Sequence, residues 1–407
     1  MERDTPAAII ERGPMGVRQW GIVGLTVALN ALDGFDVLSS AFAGPGIKEE
    51  WHLGPDGLGT ILAMELVGMG LGSLVIGGAA DRYGRRPTIL GCLAVMAAGM
   101  LLAANAGSPL LLGLWRVLTG VGIGGMLAAV NAVVFEYSSV RRKSVAMAIM
   151  VIGYPLGAFI GGLIASLLLQ THDWRAVFVL GGTMTLVCIP LVLAFVPETP
   201  AWLERARPAD ALVRINRILR RLGHPPVAAL ADAPVETARG RIAELFAPHH
   251  RRATLALSFG YAAHAFTFYF VLKMAPAIIA DPQFAGQHYS KAQAAGVLAF
   301  ANLGGAIGGA VFGWVMQRFG MARATRGALL LSALLVAWFG FGQTSLAGWT
   351  VAVALVGLFT NAAIVGFYAM FASAYPTQLK ATGTGFALAV GRAGAALSPI
   401  VAGGLFA

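Results

Sequence analysis

Eleven separate stretches of this 407-residue chain are apolar for about the length that crosses a bilayer, and no other feature constrains the fold so much. They run over 19–42, 56–79, 87–106, 109–135, 144–170, 176–196, 253–279, 291–316, 326–343, 347–373 and 383–406. An α-helix rises 1.5 Å per residue, so roughly 20 residues span the hydrocarbon core. Residues are 57% hydrophobic and 12% charged, against about 25% charged in soluble domains. No soluble fold hides that much apolar surface. The chain is therefore expected to be an all-α membrane protein. Its 53 glycines suit helices that pack closely where lipid offers no hydrophobic force between them. Cys92 and Cys188 lie inside apolar runs far apart, so neither a disulfide nor a metal site is expected. The polar N-terminus precedes a run too long and too acidic for a cleavable signal.

The formal charge of +10 would suit nucleic acid, but its distribution does not. Basic residues fall in alternate loops: Arg3, Arg12 and Arg18; Arg82, Arg85 and Arg86; Arg141, Arg142 and Lys143; ten arginines from Arg205 to Arg252; Arg318, Arg323 and Arg326; and Lys380. The other loops hold only Lys48, Arg175 and Lys291. A bias of 23 to 3 implies a multi-pass protein of the inner (plasma) membrane with a cytoplasmic N-terminus. The expected organisation is a cytoplasmic N-terminus over 1–18, a six-helix bundle over 19–196, a cytoplasmic central loop over 197–252 and a five-helix bundle over 253–407. The arginines of the central loop suit either a helix on an anionic leaflet or a solvated linker helix.

The halves echo each other. Gly77 to Gly84 and Gly313 to Gly320 share the frame G-x-x-x-(D/Q)-R-(aromatic)-G, with Arg85 and Arg86 following the first copy. Such repetition is the mark of transporters built from two repeats. Two six-helix repeats need a twelfth helix, and the chain reaches Ala407 where the eleventh stretch ends, so the twelfth is expected to be absent.

Ionisable groups inside hydrocarbon cost roughly 2.5–3.5 kcal/mol each on insertion scales and mark function. Here they are Asp33, Asp36, Glu65, Arg116, Lys273 and Arg392, with His264. Asp33 and Asp36, three apart, share a helix face and would titrate as a coupled pair, a proton site or else a structural pair with a counter-cation. Arg116 stays charged and needs an anion: Asp33, Asp36 or a substrate carboxylate. Lys273 and Arg392 are the corresponding candidates in the second half, although Lys273 also suits snorkelling to the interface. Glu65 is a second proton carrier or the partner of one of these cations. His264 reads as a packing histidine, and Tyr154, Phe268, Tyr269, Phe367 and Tyr368 as core or lipid-facing aromatics. Gly77, Asp81, Arg82, Gly84, Arg85 and Arg86 form a polar turn whose Asp can meet a helix N-terminus or an Arg of the other half, holding one state of a gating cycle. No strand precedes the glycines after Arg116, so they are no phosphate loop, and no nucleophile–base pair or metal cluster suggests an enzyme or a cofactor.

The Gly77–Arg86 turn resembles the loop signature of the major facilitator superfamily between helices two and three. Arg116 with Gly120, Gly122 and Gly124 is similar to its helix-four motif. Pro197-Glu198-Thr199-Pro200-Ala201-Trp202-Leu203 resembles a segment of its sugar and organic-ion branches. Asp33-Gly34-Phe35-Asp36 is similar to the helix-one motif of the aromatic acid:proton symporter family, and Gly391-Arg392 and Tyr375-Pro376-Thr377 also resemble that family. Its usual Trp-Leu-Pro reads Met274-Ala275-Pro276 here. The resemblance implies two six-helix bundles and a monomer. It makes Asp33 and Asp36 the coupling residues of a symporter that imports aromatic carboxylates with protons. The alternatives are a sugar or other organic-solute porter, a drug antiporter (Gly153-Tyr154-Pro155-Leu156-Gly157 is faintly similar to an antiporter motif), or a transporter-like sensor.

Overall fold

The computed structural model describes residues 5–76, 78–230 and 242–406. Among them eleven helices are long and apolar enough to cross a membrane, and no strand occurs. These are α1 (Val17–Glu50), α2 (Pro55–Val75), α3 (Arg85–Ala104), α4 (Pro109–Tyr137), α5 (Lys143–Leu168), α6 (Arg175–Phe195), α7 (Arg251–Ala280), α8 (Lys291–Phe319), α9 (Met321–Gly340), α10 (Leu346–Ala374) and α11 (Thr377–Phe406). Each matches one apolar stretch.

The clearest departure is at the end of α1, which continues past residue 42, through Pro45, to Glu50. Its last turn, Lys48-Glu49-Glu50, is too polar to register as a membrane segment. It is held by charge instead: Lys48 meets Asp281 at 2.6 Å, Glu50 meets Arg175 at 2.6 Å, and Glu49 meets Lys291. Elsewhere local chemistry sets the starts. Ser108 accepts from the Leu111 N–H ahead of Pro109, Ser345 accepts from Gly348, and Ser290 forms a capping box with Gln293.

The sequence echo has a backbone cause. Gly84 (φ 109°) joins the short helix Ala79–Tyr83 to α3, and Gly320 (φ 82°) joins α8 to α9. Both turns need a positive φ that a Cβ would strain. Gly77, at the start of the first copy, lies outside the described residues.

Glycines also repeat in the packing. A Cβ on Gly68 or Gly72 of α2 would strike the carbonyls of Val117 or Val121 on α4, and one on Gly120 or Gly124 would strike those of Glu65 or Met69. In the second half Gly304 and Gly308 of α8 meet Ala354 and Leu358 of α10 in the same way. The halves themselves meet along α2–α11 and α5–α8. Gly59 packs on Pro399, Gly403 packs on Pro55, and the Ser166 hydroxyl donates to the Ala292 carbonyl at 2.6 Å. These contacts lie at the end opposite the arginine-rich loops. At the basic end, the helix Ala211–Leu222 lays Ile215 and Leu219 against the protein and exposes Arg217, Arg220 and Arg221.

Candidate functional site

In the buried interior between the halves, charged side chains from both of them converge on one acid. Glu65 of α2 is wholly buried. Arg116 of α4 forms an ion pair with its Oε1 at 2.5 Å, and Lys273 of α7 donates to its Oε2 at 2.9 Å. Neither cation has any exposed surface. Both also grip the backbone of α1. Arg116 donates to the Asp36 carbonyl at 2.9 Å, and Lys273 donates to the Val37 carbonyl. The remaining guanidinium edge meets Met100 Sδ at 2.8 Å, and the Phe178 ring lies 5.3 Å from Cζ. Lys273 therefore does not snorkel to an interface. Arg116 does not pair with the Asp33 or Asp36 carboxyl groups; Glu65 is its acidic partner, and it touches Asp36 through the main chain.

Asp33 and Asp36 sit beside this cluster, 3% and 0% exposed. Both Asp36 oxygens and Asp33 Oδ1 are buried without a hydrogen-bond partner among the described residues. Gly181 of α6 makes room for them, since a Cβ there would come within 2.8 Å of Asp36 Oδ1. Neighbouring groups hold α1 in place: Asn30 donates to the Met150 carbonyl at 2.8 Å, and Gly34 packs against the Tyr154 carbonyl.

Arg392 stands apart from the triad. It is half-buried on α11 and donates to the Met69 carbonyl of α2 at 3.3 Å, one turn along from Glu65. His264 is a packing histidine, its Nε2 2.9 Å from the Thr360 carbonyl. Beside it lies an aromatic cluster, with Tyr261 5.5 Å from Phe367, 6.0 Å from Tyr368 and 5.4 Å from Phe371. Tyr261 and Phe371 were not singled out in the sequence. The spacing of Tyr261, His264 and Phe268 on one face of α7 is the signal that would have found the first.

The polar turn carries several ion pairs. Arg85 meets Asp81 at 3.1 Å and Glu136 of α4 at 2.8 Å, and Asp81 also meets Arg205 at 3.4 Å. Arg205 lies just beyond α6, in the central loop. Arg82 rests against the Tyr83 ring. Arg86 donates to the Leu193 carbonyl at 2.6 Å. Sequence reasoning gave Glu198 no role, yet its carboxylate caps α3, accepting from the Arg85 and Arg86 N–H groups at 3.0 and 3.2 Å. Burial pushes the Glu198 carboxyl up, against the pull of those donors and the Thr199 N–H.

A cavity of about 730 Å³ opens at the far end, lined by Lys48, His52, Tyr289 and Lys291, and is separate from the buried triad. Among the described residues no group of three His, Cys, Asp or Glu is placed to hold a metal.

Known proteins align with nearly all of this architecture. The chain is 29% identical to the gallate transporter of Pseudomonas putida, covering 97% of this chain and 87% of that protein. It is 29% identical to the 4-hydroxybenzoate transporter PcaK of Pseudomonas aeruginosa, covering 98% and 88%. The 3-(3-hydroxy-phenyl)propionate transporter of Escherichia coli is also 29% identical, covering 95% and 86%. Among solved structures the nucleoside transporter NupG superposes with a TM-score of 0.71 at 14% identity, covering 94% of this chain and 91% of that one. The xylose transporter XylE from Escherichia coli gives 0.67 at 14%, covering 96% and 91%. The model of the Major Facilitator Superfamily matches residues 25–406, so the chain belongs to that superfamily and is a multi-pass membrane transporter, not an enzyme.

Proposed function

We propose that the protein is a proton-coupled symporter that imports an aromatic carboxylate by alternating access, with its arginine-rich end in the cytoplasm. The observation that carries this reading is the buried charge cluster. Two cations from different halves share one acid, and three oxygens of two further carboxyl groups, Asp33 Oδ1 and both of Asp36, are buried beside them without a hydrogen-bond partner among the described residues. The relatives that transport gallate, 4-hydroxybenzoate and hydroxyphenylpropionate support the substrate class.

Charge counting gives the coupling. With Glu65, Asp33 and Asp36 ionised, the site carries one net negative charge against Arg116 and Lys273. One proton on the aspartates makes it neutral, and two make it positive by one. An unpaired charge in a dry site costs several kcal/mol, so a substrate carboxylate is accepted when both aspartates carry protons. It is rejected when they do not. The loaded site is neutral again, which lets the halves rock without dragging a bare charge through low dielectric. Bringing in the anion with two protons moves one net positive charge inward, so the membrane potential adds to the pH gradient. Arg392, one turn toward the cytoplasm, offers the next cation along the exit path.

The turn at Asp81–Arg86 belongs to the gating machinery. The halves are joined at the outer end by Lys48–Asp281 and Lys291–Glu49, an arrangement that suits the inward-facing state. Closing the inner end would bring this turn against the second half.

The test is uptake of labelled 4-hydroxybenzoate, protocatechuate, vanillate and glucose by cells expressing the protein, with and without an uncoupler. Accumulation of an aromatic acid that the uncoupler abolishes is expected. Accumulation of glucose alone, or of an aromatic acid unaffected by the uncoupler, would overturn the reading.

A further inference from the structure

The Arg116–Glu65–Lys273 triad poses a question for any carboxylate that is to bind there. The nitrogens of both cations that face Glu65 are already taken. Each Glu65 oxygen faces a different one, at 2.5 and 2.9 Å, and the acid has no exposed surface. A second carboxylate cannot reach the same donors while Glu65 holds them.

The cations, however, do not depend on Glu65 for their position. Arg116 remains tied to the Asp36 carbonyl, Met100 Sδ and the Phe178 face, and Lys273 to the Val37 carbonyl. Remove Glu65 and a preformed pair of donors stays behind, spaced for the two oxygens of one carboxylate. Glu65 also sits on the opposite half from Lys273, so its bond to Lys273 ties the halves together at the depth of the site.

We propose that Glu65 is a built-in competitor: its carboxylate occupies the place that the substrate's carboxylate takes, and the substrate binds by displacing it from Arg116 and Lys273. This rests on the carboxylate-symporter reading above and goes beyond it by assigning the substrate's carboxylate a position and an incumbent. It explains why a transporter of anions keeps an acid between its two most buried cations. The empty carrier stays electrically quiet, with its halves tied, until a carboxylate exchanges for the tie. Groups of other elements that face this region, Asp33 and Asp36 on α1 and Arg392 on α11, set the net charge but do not occupy the donors.

The experiment is binding of 4-hydroxybenzoate to purified full-length protein in lipid nanodiscs, with 4-hydroxybenzamide as the neutral control. Glu65→Gln is expected to tighten 4-hydroxybenzoate binding by about tenfold or more and to leave the amide unchanged. Asp36→Asn also removes a nearby negative charge but not the incumbent, so it should tighten binding several-fold less. Glu65→Asp keeps the charge on a shorter arm that cannot span both cations, and should fall between wild type and Glu65→Gln. Difference infrared spectra should show a carboxylate band of the wild type that shifts on adding 4-hydroxybenzoate and is missing in Glu65→Gln. If wild type accumulates 4-hydroxybenzoate but Glu65→Gln binds it no more tightly, or the band does not move, the competitor is refuted and the symporter stands. If no aromatic carboxylate binds to wild type or variant, both fall together.

Discussion

Among the described residues, ion pairs join the two halves in two places, and solvent makes the two joints unlike. In the buried interior, Lys273 reaches Glu65 with neither group exposed. At the rim opposite the arginine-rich loops, Lys48 reaches Asp281 with side chains 31% and 15% exposed, and Lys291 reaches Glu49 with 41% and 69%. Partly exposed pairs gain little, about 0.2–1 kcal/mol, because water and salt compete for both partners. A buried pair is different. Losing one partner leaves a charge in low dielectric and costs roughly 3–5 kcal/mol. The rim joint is thus suited to open and close in every cycle. The deep joint is suited to change only when its charge is replaced.

Substitutions should separate the joints in that order. Arg116→Met removes the cation that holds both Glu65 and the Asp36 carbonyl. It is expected to abolish uptake and to destabilise the protein by roughly 3–5 kcal/mol, read as a large drop in thermal unfolding temperature. Lys273→Met leaves the Arg116–Glu65 pair intact and breaks only the tie across the seam. A loss of about 1.5–3 kcal/mol and a severe uptake defect are expected. Asp281→Asn, at the rim, should cost at most about 1 kcal/mol, and the cost should shrink as salt is raised from low ionic strength. A rim variant as damaging as Arg116→Met would erase the distinction.

The rim pair also has a pH signature. Burial pushes the Asp281 carboxyl up, but the Lys48 ammonium and the Gln283 N–H outweigh it, and the carboxyl sits below its ordinary value of 3.8. A lowered value means the ionised form is the one the fold favours. Its contribution is present at neutral pH and is lost only as pH falls below that ordinary value. Mild acidification therefore does not open the rim through Asp281. Wild type and Asp281→Asn should lose stability in parallel from pH 7 to about 5 and converge only at lower pH.

The fold was legible because a membrane span is a local signal: eleven apolar stretches became eleven helices. The end of α1 was not, because Lys48, Glu49 and Glu50 form a helical turn only through partners on α6, α7's end and α8. The repeated glycine turn was visible as a motif, and its reason, the positive φ of Gly84 and Gly320, only in the structure. The candidate ionisable residues were all identifiable, since charge in an apolar run is conspicuous. Their pairing was not. Glu65, Arg116 and Lys273 come from three helices, and nothing in their spacing says that Glu65 stands between the cations while Asp33 and Asp36 stand beside them. Lys273 does lie near the end of α7, seven residues before Ala280, yet its side chain is wholly buried against Glu65 and does not reach an interface.

The central claim is that protons on the helix-one aspartates admit the substrate anion. It is tested most directly in proteoliposomes by imposing a pH gradient and following labelled 4-hydroxybenzoate. Wild type should accumulate the acid above its outside concentration only when the gradient points inward. The double variant Asp33→Asn/Asp36→Asn should bind it and exchange it across the membrane but lose gradient-driven accumulation. Accumulation by that double variant that still follows the imposed gradient would contradict the account.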